Sequence, residues 1–566
     1  DEGLQKAQIL RNNGLLLREN RDVVQQQSQQ QQQTEKFAFT LKVPVAKPEP
    51  TKGKDGKKNK GVASEKRDTS RLRQKRRSQS LKQAKELNTA LENQRALQQQ
   101  NVMPQQERPL GQSLNQIEGS PAEQSPMGGF GGGGQGGGGG GGFAGGVKVD
   151  AAGVVSTRFA TSRAHLLAHK KAKALAKKHL AGDINRQSPL RKISLVRLEQ
   201  ACARFEGKKR PAPLDIQFLA GLQRIDYLFV DPDGKDLVIA GPAEGFAPDA
   251  EGRVVGVTTG RPPLRIDDLM VALRTINSTR DLGVSIDPVP DRLEQARRYL
   301  QRNSSAASVS AIRRRFKQLA KILGPQAIRV WGVPPDSHFA QAMVDADVQM
   351  KYIALGLQRP KVAGLRSHLS LIKPQGNSMQ RWWATPLYEA IYTTDDRLAF
   401  QLTGQRAQIL SQEELHGAGG RRIDAATTRV TTRQFARIFT DKFSQLAKQS
   451  PVFAELQNLI DLSILAALLR KERLPQRVGW AMTFFLAADR AKVAKGSIPK
   501  QISSIYNTRN VRGRVVLGLV SGGVVLRPQQ AINRIPTKIS DDDQFDQRRL
   551  KALKTTPPRQ HPWWWD

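Results

Sequence analysis

At 566 residues the chain has room for roughly two or three domains, and 90 Lys plus Arg against 51 Asp plus Glu leave a formal charge of +39. A field of that sign attracts polyanions, whether nucleic acid, anionic lipid or an acidic polymer, and does not choose among them. With Cys202 the single cysteine, an intramolecular disulfide framework, a cysteine-rich zinc site and an iron–sulfur cluster are excluded.

Residues 1–146 have the composition of a disordered arm. The stretch 25–33 is nearly all glutamine, 47–85 is crowded with Lys and Arg, including Lys75, Arg76 and Arg77, and 128–146 is almost pure glycine. None of these buries enough apolar surface to offset chain entropy. A transient basic helix is predicted within 70–100, and the glycine tract reads as a flexible tether. The chain starts at Asp1 rather than Met, as a chain with a removed signal peptide would, or a truncated one.

Order is expected from Val147, with a first hairpin turning at Asp150 to Gly153. A Lys/Ala-rich helix over 162–180 carries Lys170, Lys171 and Lys177, and an amphipathic helix over 193–205 follows through Leu195, Leu198 and Cys202. The segments 225–230 and 236–240 flank Asp231-Pro-Asp-Gly234, a hairpin whose Pro and Gly suit a tight turn. A strand over 254–257, a helix over 266–276 and a strand over 283–286 lead to two helices, 291–301 and 309–323. The second of these carries Arg313, Arg314, Arg315 and Lys317.

The clearest strand–turn–helix follows. Ile328, Val330 and Trp331 form a β segment that stops at Pro334-Pro335, because proline offers no N–H to a ladder. Asp336 or Ser337 then caps a helix whose Phe339, Met343 and Val344 recur at helical spacing. Trp382-Trp383 is expected near a loop, 398–402 and 408–410 in strands, and 432–448 and 452–471 in helices. Beyond Pro475 the composition turns basic, with one hairpin around Ser521-Gly522-Gly523 and a tail ending in Trp563-Trp564-Trp565. The longest apolar runs, such as 459–469 and 480–488, fall short of the roughly 18 to 20 residues of a spanning helix.

Common catalytic motifs are missing: there is no Gly-x-Ser-x-Gly, His-Glu-x-x-His or Gly-x-x-x-x-Gly-Lys-Ser/Thr. Weak catalytic candidates are Glu244, exposed by the turn Gly241-Pro-Ala-Glu-Gly245, and Asp336 and His338 at the helix start. Adjacent residues on a helix point in different directions, so helix capping is the simpler reading of the latter pair. His165 and His169 have metal-ligand spacing, but lysines surround them and no carboxylate completes a shell. No metal and no cofactor are therefore expected. Trp382 and Trp383 are read as packing, with ligand stacking as the alternative. Polyanion contact is assigned to Lys75, Arg76, Arg77, Lys170, Lys171, Lys177, Arg313, Arg314 and Arg315.

Several blocks resemble the signature of a family of uncharacterised planctomycete bacterial proteins. They are Gly221-Leu-Gln-Arg-Ile-Asp-Tyr-Leu-Phe-Val230, Ala240-Gly-Pro-Ala-Glu-Gly245, Val255-Gly-Val-Thr-Thr-Gly-Arg-Pro262, Gly332-Val-Pro-Pro-Asp-Ser-His-Phe-Ala340, Arg381-Trp-Trp383 and Pro451-Val-Phe-Ala-Glu-Leu-Gln-Asn-Leu-Ile-Asp-Leu462. The resemblance spans about 147–471. It implies a bacterial source and export, and it supplies no catalytic residues.

The expected architecture is an α+β body of mixed sheet hairpins and packed helices. It is read as an α+β lobe over 147–290 and an α/β to helical lobe over 291–475, preceded by the disordered arm and followed by a basic tail with one β-hairpin over 476–566. The expected function is a non-enzymatic scaffold or interaction protein of the bacterial envelope, whose partners are an anionic polymer or membrane surface. A nonspecific nucleic-acid-binding protein and a hydrolase-like enzyme are the alternatives. Exported or envelope localisation is favoured over cytoplasmic.

Overall fold

The computed structural model describes residues 143–566 except 144, 158–161, 181, 208–211, 279, 306, 373–379, 417–421, 425–427, 512–513, 541–542 and 555–560. Its centre is the helix Pro451–Lys471, buried on every side over 452–469. A helix without a wet face must be enclosed by other elements. Here His338–Ala354, Ile266–Arg274, Phe443–Gln449 and Pro528–Arg534 enclose it. By length and composition it could cross a membrane, yet its apolar window lies wholly inside the protein. Counting unbroken apolar runs missed it, because Glu455, Gln457, Asn458, Asp461 and Ser463 interrupt the pattern.

The fold is α+β, with two principal mixed sheets. The larger, ten-stranded, runs in the order Val147–Val149, Val154–Thr157, Gln501–Ser503, Pro325–Trp331, Leu282–Pro288, Arg514–Leu526, Gln380–Leu387, Arg406–His416 and Arg422–Asp424, with Tyr506–Val511 paired beside Arg514–Leu526. The seven-stranded sheet runs Thr537–Ile539, Ile391–Thr393, Ala399–Leu402, Tyr227–Asp231, Asp236–Ala243, Ser188–Ser194 and Trp564–Trp565. The helix His338–Ala354 lies across the large sheet at Leu282–Pro288 and Arg514–Leu526. A satellite core joins Leu293, Leu300, Ile312, Phe316 and Leu319 of the helices Pro290–Arg302 and Val309–Leu323 to Val515, Leu517 and Leu519.

The hairpins turning at Asp150 to Gly153 and Asp231 to Gly234 form as expected. Asp150 and Asp231 each accept a backbone N–H from the turn's far side, at 2.8 and 2.9 Å. Other expectations change. Residues 188–194 are a strand preceding the helix Leu195–Gly207, and 432–448 divides into Val430–Asp441 and Phe443–Gln449. Trp382 and Trp383 sit inside the strand Gln380–Leu387.

The largest difference concerns the C-terminal segment. The strand Arg514–Leu526 lies between Leu282–Pro288 and Gln380–Leu387, in the middle of the large sheet. Ser521-Gly522-Gly523 is therefore no turn. The two glycines let neighbouring strands approach where a Cβ on Gly523 would lie 1.8 Å from the Val284 carbonyl oxygen. Trp563, Trp564 and Trp565 are buried, and the last two pair with Ile193 and Lys192. Strands from both sides of 288–290 share the large sheet, so no boundary between lobes falls there.

Candidate functional site

Each candidate residue can be followed from its element to its partners. Glu244 follows the strand Asp236–Ala243 and is buried. Its Oε1 accepts from Gln223 Nε2 at 2.7 Å and the Thr259 N–H at 2.9 Å, and its Oε2 accepts from the Thr258 N–H at 3.0 Å. A carboxylate so occupied ties a turn to a strand end, which differs from the exposed acid expected of Gly241-Pro-Ala-Glu-Gly245.

Asp336 and His338 do not act on each other. Ser337, not Asp336, caps the helix by accepting the Ala340 N–H at 3.2 Å. Asp336 approaches Lys495 at 3.8 Å. His338 turns inward and is buried, so it is not the exposed first-turn position that capping alone implies. Its Nδ1 meets Asp268 of the helix Ile266–Arg274 at 2.9 Å, and its Nε2 meets Glu455 of the central helix at 3.3 Å.

The same network holds a second cation. Arg253 bridges Glu455 and Asp345, and Asp345 lies two turns beyond His338 on one helix. Burial pushes His338 down, but the Asp268 charge and the hydrogen bonds to Asp268 and Glu455 outweigh it and hold the imidazolium above its ordinary value. Burial likewise opposes the charge of Glu455, yet Arg253 and His338 bring its carboxyl down to about 2. For Asp345 burial prevails over Arg253 and the carboxyl is raised. Phe143 stands edge-on to His338 at 5.3 Å, and its carbonyl accepts from Gln341 Nε2 at 2.9 Å. The segment leading into the first strand thus covers the network, so Gly145 and Gly146 are packed positions rather than tether. Buried and paired, with only Arg253 Nε and Asp345 Oδ1 left without a hydrogen-bond partner, these charges form a structural lock across four segments.

A further buried set hangs from the same helix. Asp461 accepts from Arg406 Nε at 2.9 Å, from the Tyr388 hydroxyl at 2.5 Å and from the Ile225 N–H at 3.2 Å. Among the described residues, no group of three or more His, Cys, Asp or Glu side chains is arranged to hold a metal ion.

The tryptophans divide by strand alternation. Trp382 is fully buried between His368, at 4.9 Å, and Phe435, at 4.7 Å, which leaves no face for a ligand and corrects the stacking alternative for this ring. Trp383 is half-buried, and the Arg381 guanidinium lies 4.0 Å over its ring.

The accessible groups are basic. The helix Ser162–His179 has no acidic residue and buries Ala172 and Ala176, while Lys170, Lys171, Lys173, Lys177 and Lys178 are exposed. The helix Val309–Leu323 also lacks acids. Its Ile312, Phe316, Leu319 and Leu323 face the sheet, and Arg313, Arg314, Lys317 and Lys321 face water. Arg315 differs from expectation, since its guanidinium turns back to the Asn303 and Ser305 carbonyls at 2.9 and 2.7 Å. Lys75, Arg76 and Arg77 lie outside the described residues.

Sequence reading missed Arg253, Asp268, Asp345 and Glu455, which come from three helices and the start of one strand. The one local signal was Glu455, an acid on an otherwise apolar helix turn. Residues 284–368 match the model of a family described as Protein of unknown function (DUF1598). That span is narrower than the 147–471 of the resemblance, and it includes the basic helix Val309–Leu323, His338 and Asp345. No curated protein and no solved structure matches the chain.

Proposed function

We propose that the protein is a non-enzymatic interaction protein that binds polyanions through its exposed basic helix faces. The observation that carries this reading is the contrast between the two kinds of charge. Glu244 and His338 are consumed in buried structural bonds, whereas two acid-free helices present Arg313, Arg314, Lys317 and five lysines to water. Such faces recognise spacing and density of negative charge, and binding releases counterions.

The test measures the affinity of the full chain for heparin, duplex DNA and RNA across a salt series. All three are expected to bind at low salt and to weaken together as salt rises. Changing Arg313, Arg314 and Lys317 together to Gln should lower the slope of log affinity on log salt by roughly one per contacting cation removed. Unchanged affinity and slope in that variant would remove the helix faces from the function. Tight, salt-resistant binding of one polymer would replace charge recognition with a specific site.

A further inference from the structure

Beyond the helix faces, one concave feature collects cations of a different kind. Between the strand Ser188–Ser194 and the helix Asp543–Lys554, which packs on the same sheet at Tyr227–Asp231 and Ala399–Leu402, a cleft of about 700 Å³ opens, lined by Arg186, Ser188, Lys192, Arg548 and Lys551. That volume falls within the range of small-ligand sites.

Three local structures bring these groups to the cleft, where Arg548 also donates to the Tyr227 hydroxyl at 2.6 Å. Arg186 follows the short helix Gly182–Asn185, Lys192 lies on the strand, and Arg548 and Lys551 lie one turn apart on the helix Asp543–Lys554. The neighbouring Arg191 is buried, and its Nε and Nη2 hold Asp566 at the cleft's edge at 2.7 and 3.0 Å. Arg186 adds a third bond to Asp566 at 3.1 Å, so the cleft's one lining acid is already engaged by two guanidinium groups.

Lys192 is the informative member. It is only 7% exposed, and among the described residues no hydrogen bond or close ion pair ends on its ammonium. The Nζ itself is not sealed from water: the stem is buried and the ammonium opens into the cleft with no protein acceptor on it. Burial accordingly lowers its proton affinity, Asp566 restores part of it, and the neighbouring Lys551 charge lowers it again. A mobile anion in the cleft would supply what the chain does not.

We propose that this cleft is a binding site for a phosphate group of a small phosphomonoester, held by Lys192 and Lys551 with Arg186 and Arg548 at the rim. Cations approaching from a strand, a helix and a loop match a tetrahedral dianion with several oxygens, whereas a carboxylate needs a single fork. The apolar edge formed by Pro189, Leu190 and Ala552 can cover the carbon part of such an ester.

The experiment is calorimetric titration of the full chain with inorganic phosphate, glycerol phosphate and, as a control for charge alone, malonate, a dicarboxylate dianion. Both phosphates are expected to bind more tightly than malonate. Lys192→Met should weaken them by about tenfold or more, the scale of a lost charge-assisted hydrogen bond, while heparin affinity stays as in the parent. Lys551→Gln, on the exposed side of the helix Asp543–Lys554, should weaken the phosphates in the same direction and serves if Lys192→Met does not fold. Phosphate affinity within twofold of the parent in a folded variant would overturn the site, as would equal binding of malonate and phosphate. Loss of heparin binding in parallel would assign the cleft to the general basic field. The Arg313, Arg314 and Lys317 variant separates the two ideas, since it should retain phosphate binding even if the helix faces have no function.

Discussion

Gly146 donates its backbone N–H to the Asp345 carboxylate at 3.0 Å, which ties the entry of the body to the middle of the helix His338–Ala354. The same carboxylate takes the Arg253 guanidinium. Asp345→Ala should therefore cost about 3–5 kcal/mol, the range for removing one partner of a buried pair. Asp345→Asn keeps an acceptor oxygen and should cost less. Denaturant unfolding of the two variants checks the order, and a loss under 1 kcal/mol for Asp345→Ala would mean that the network is not a lock.

His338 supplies a pH signature. Its folded-state value lies above the ordinary 6.5, so its contribution to stability is fully present below 6.5 and is lost as pH rises through the higher folded value. Glu455, held at about 2 against 4.5, works oppositely: its contribution is present above 4.5 and is lost as pH falls toward 2. The stability gap between the parent and His338→Gln should accordingly narrow between pH 6 and alkaline pH. Melting curves at a series of pH values measure it, and a gap that widens with pH would reverse the assignment of charge to the imidazole.

Truncation tests the place of the C-terminal segment. Residues 147–471 contain the most strongly periodic elements, but without Arg514–Leu526 the strands Leu282–Pro288 and Gln380–Leu387 lose the partner between them. The fragment 147–471 should show no cooperative thermal transition, while 143–566 should show one. A cooperative transition in the shorter fragment would make the central strand dispensable.

Glu244→Ala would leave the Thr258 and Thr259 N–H groups without their carboxylate acceptor and take from the Gln223 amide one of its acceptors. A loss of about 2–4 kcal/mol is expected, with heparin and phosphate affinities unchanged in the folded fraction. Altered ligand affinity at unchanged stability would return Glu244 to the list of binding residues.

Local chemistry was the legible part of the chain. Turns set by Asp150 and Asp231, the Ser337 cap and the apolar spacing of Phe339, Met343 and Val344 each depend on a few nearby residues, and they stand as read. The basic faces were visible for the same reason, because lysines on a helix without acids have nowhere to go but water. Arg514–Leu526 was misread because two glycines look alike in a turn and in a crowded strand; only the neighbouring Val284 and Trp382 backbones distinguish them. Trp382 and Trp383 were indistinguishable until the pleat sent one ring into the core. The lock around His338 and the cleft at Lys192 join residues far apart in the chain, and no spacing announces such meetings.

The interior helix Pro451–Lys471 carries a consequence for biogenesis. Before the body closes, this segment has two apolar destinations, the core and any lipid bilayer within reach, and its length suits both. Glu455 and Asp461 tip that partition: Asp461, at the helix midpoint, would cost about 2.5–3.5 kcal/mol at mid-bilayer on insertion scales and Glu455, near the helix start, less, whereas Arg253, His338 and Arg406 receive them in the fold. Replacing both acids with leucine would remove that bias along with the two buried ion pairs, so a nascent chain beside a membrane would gain a stop-transfer segment at the position where the folded protein keeps its axis.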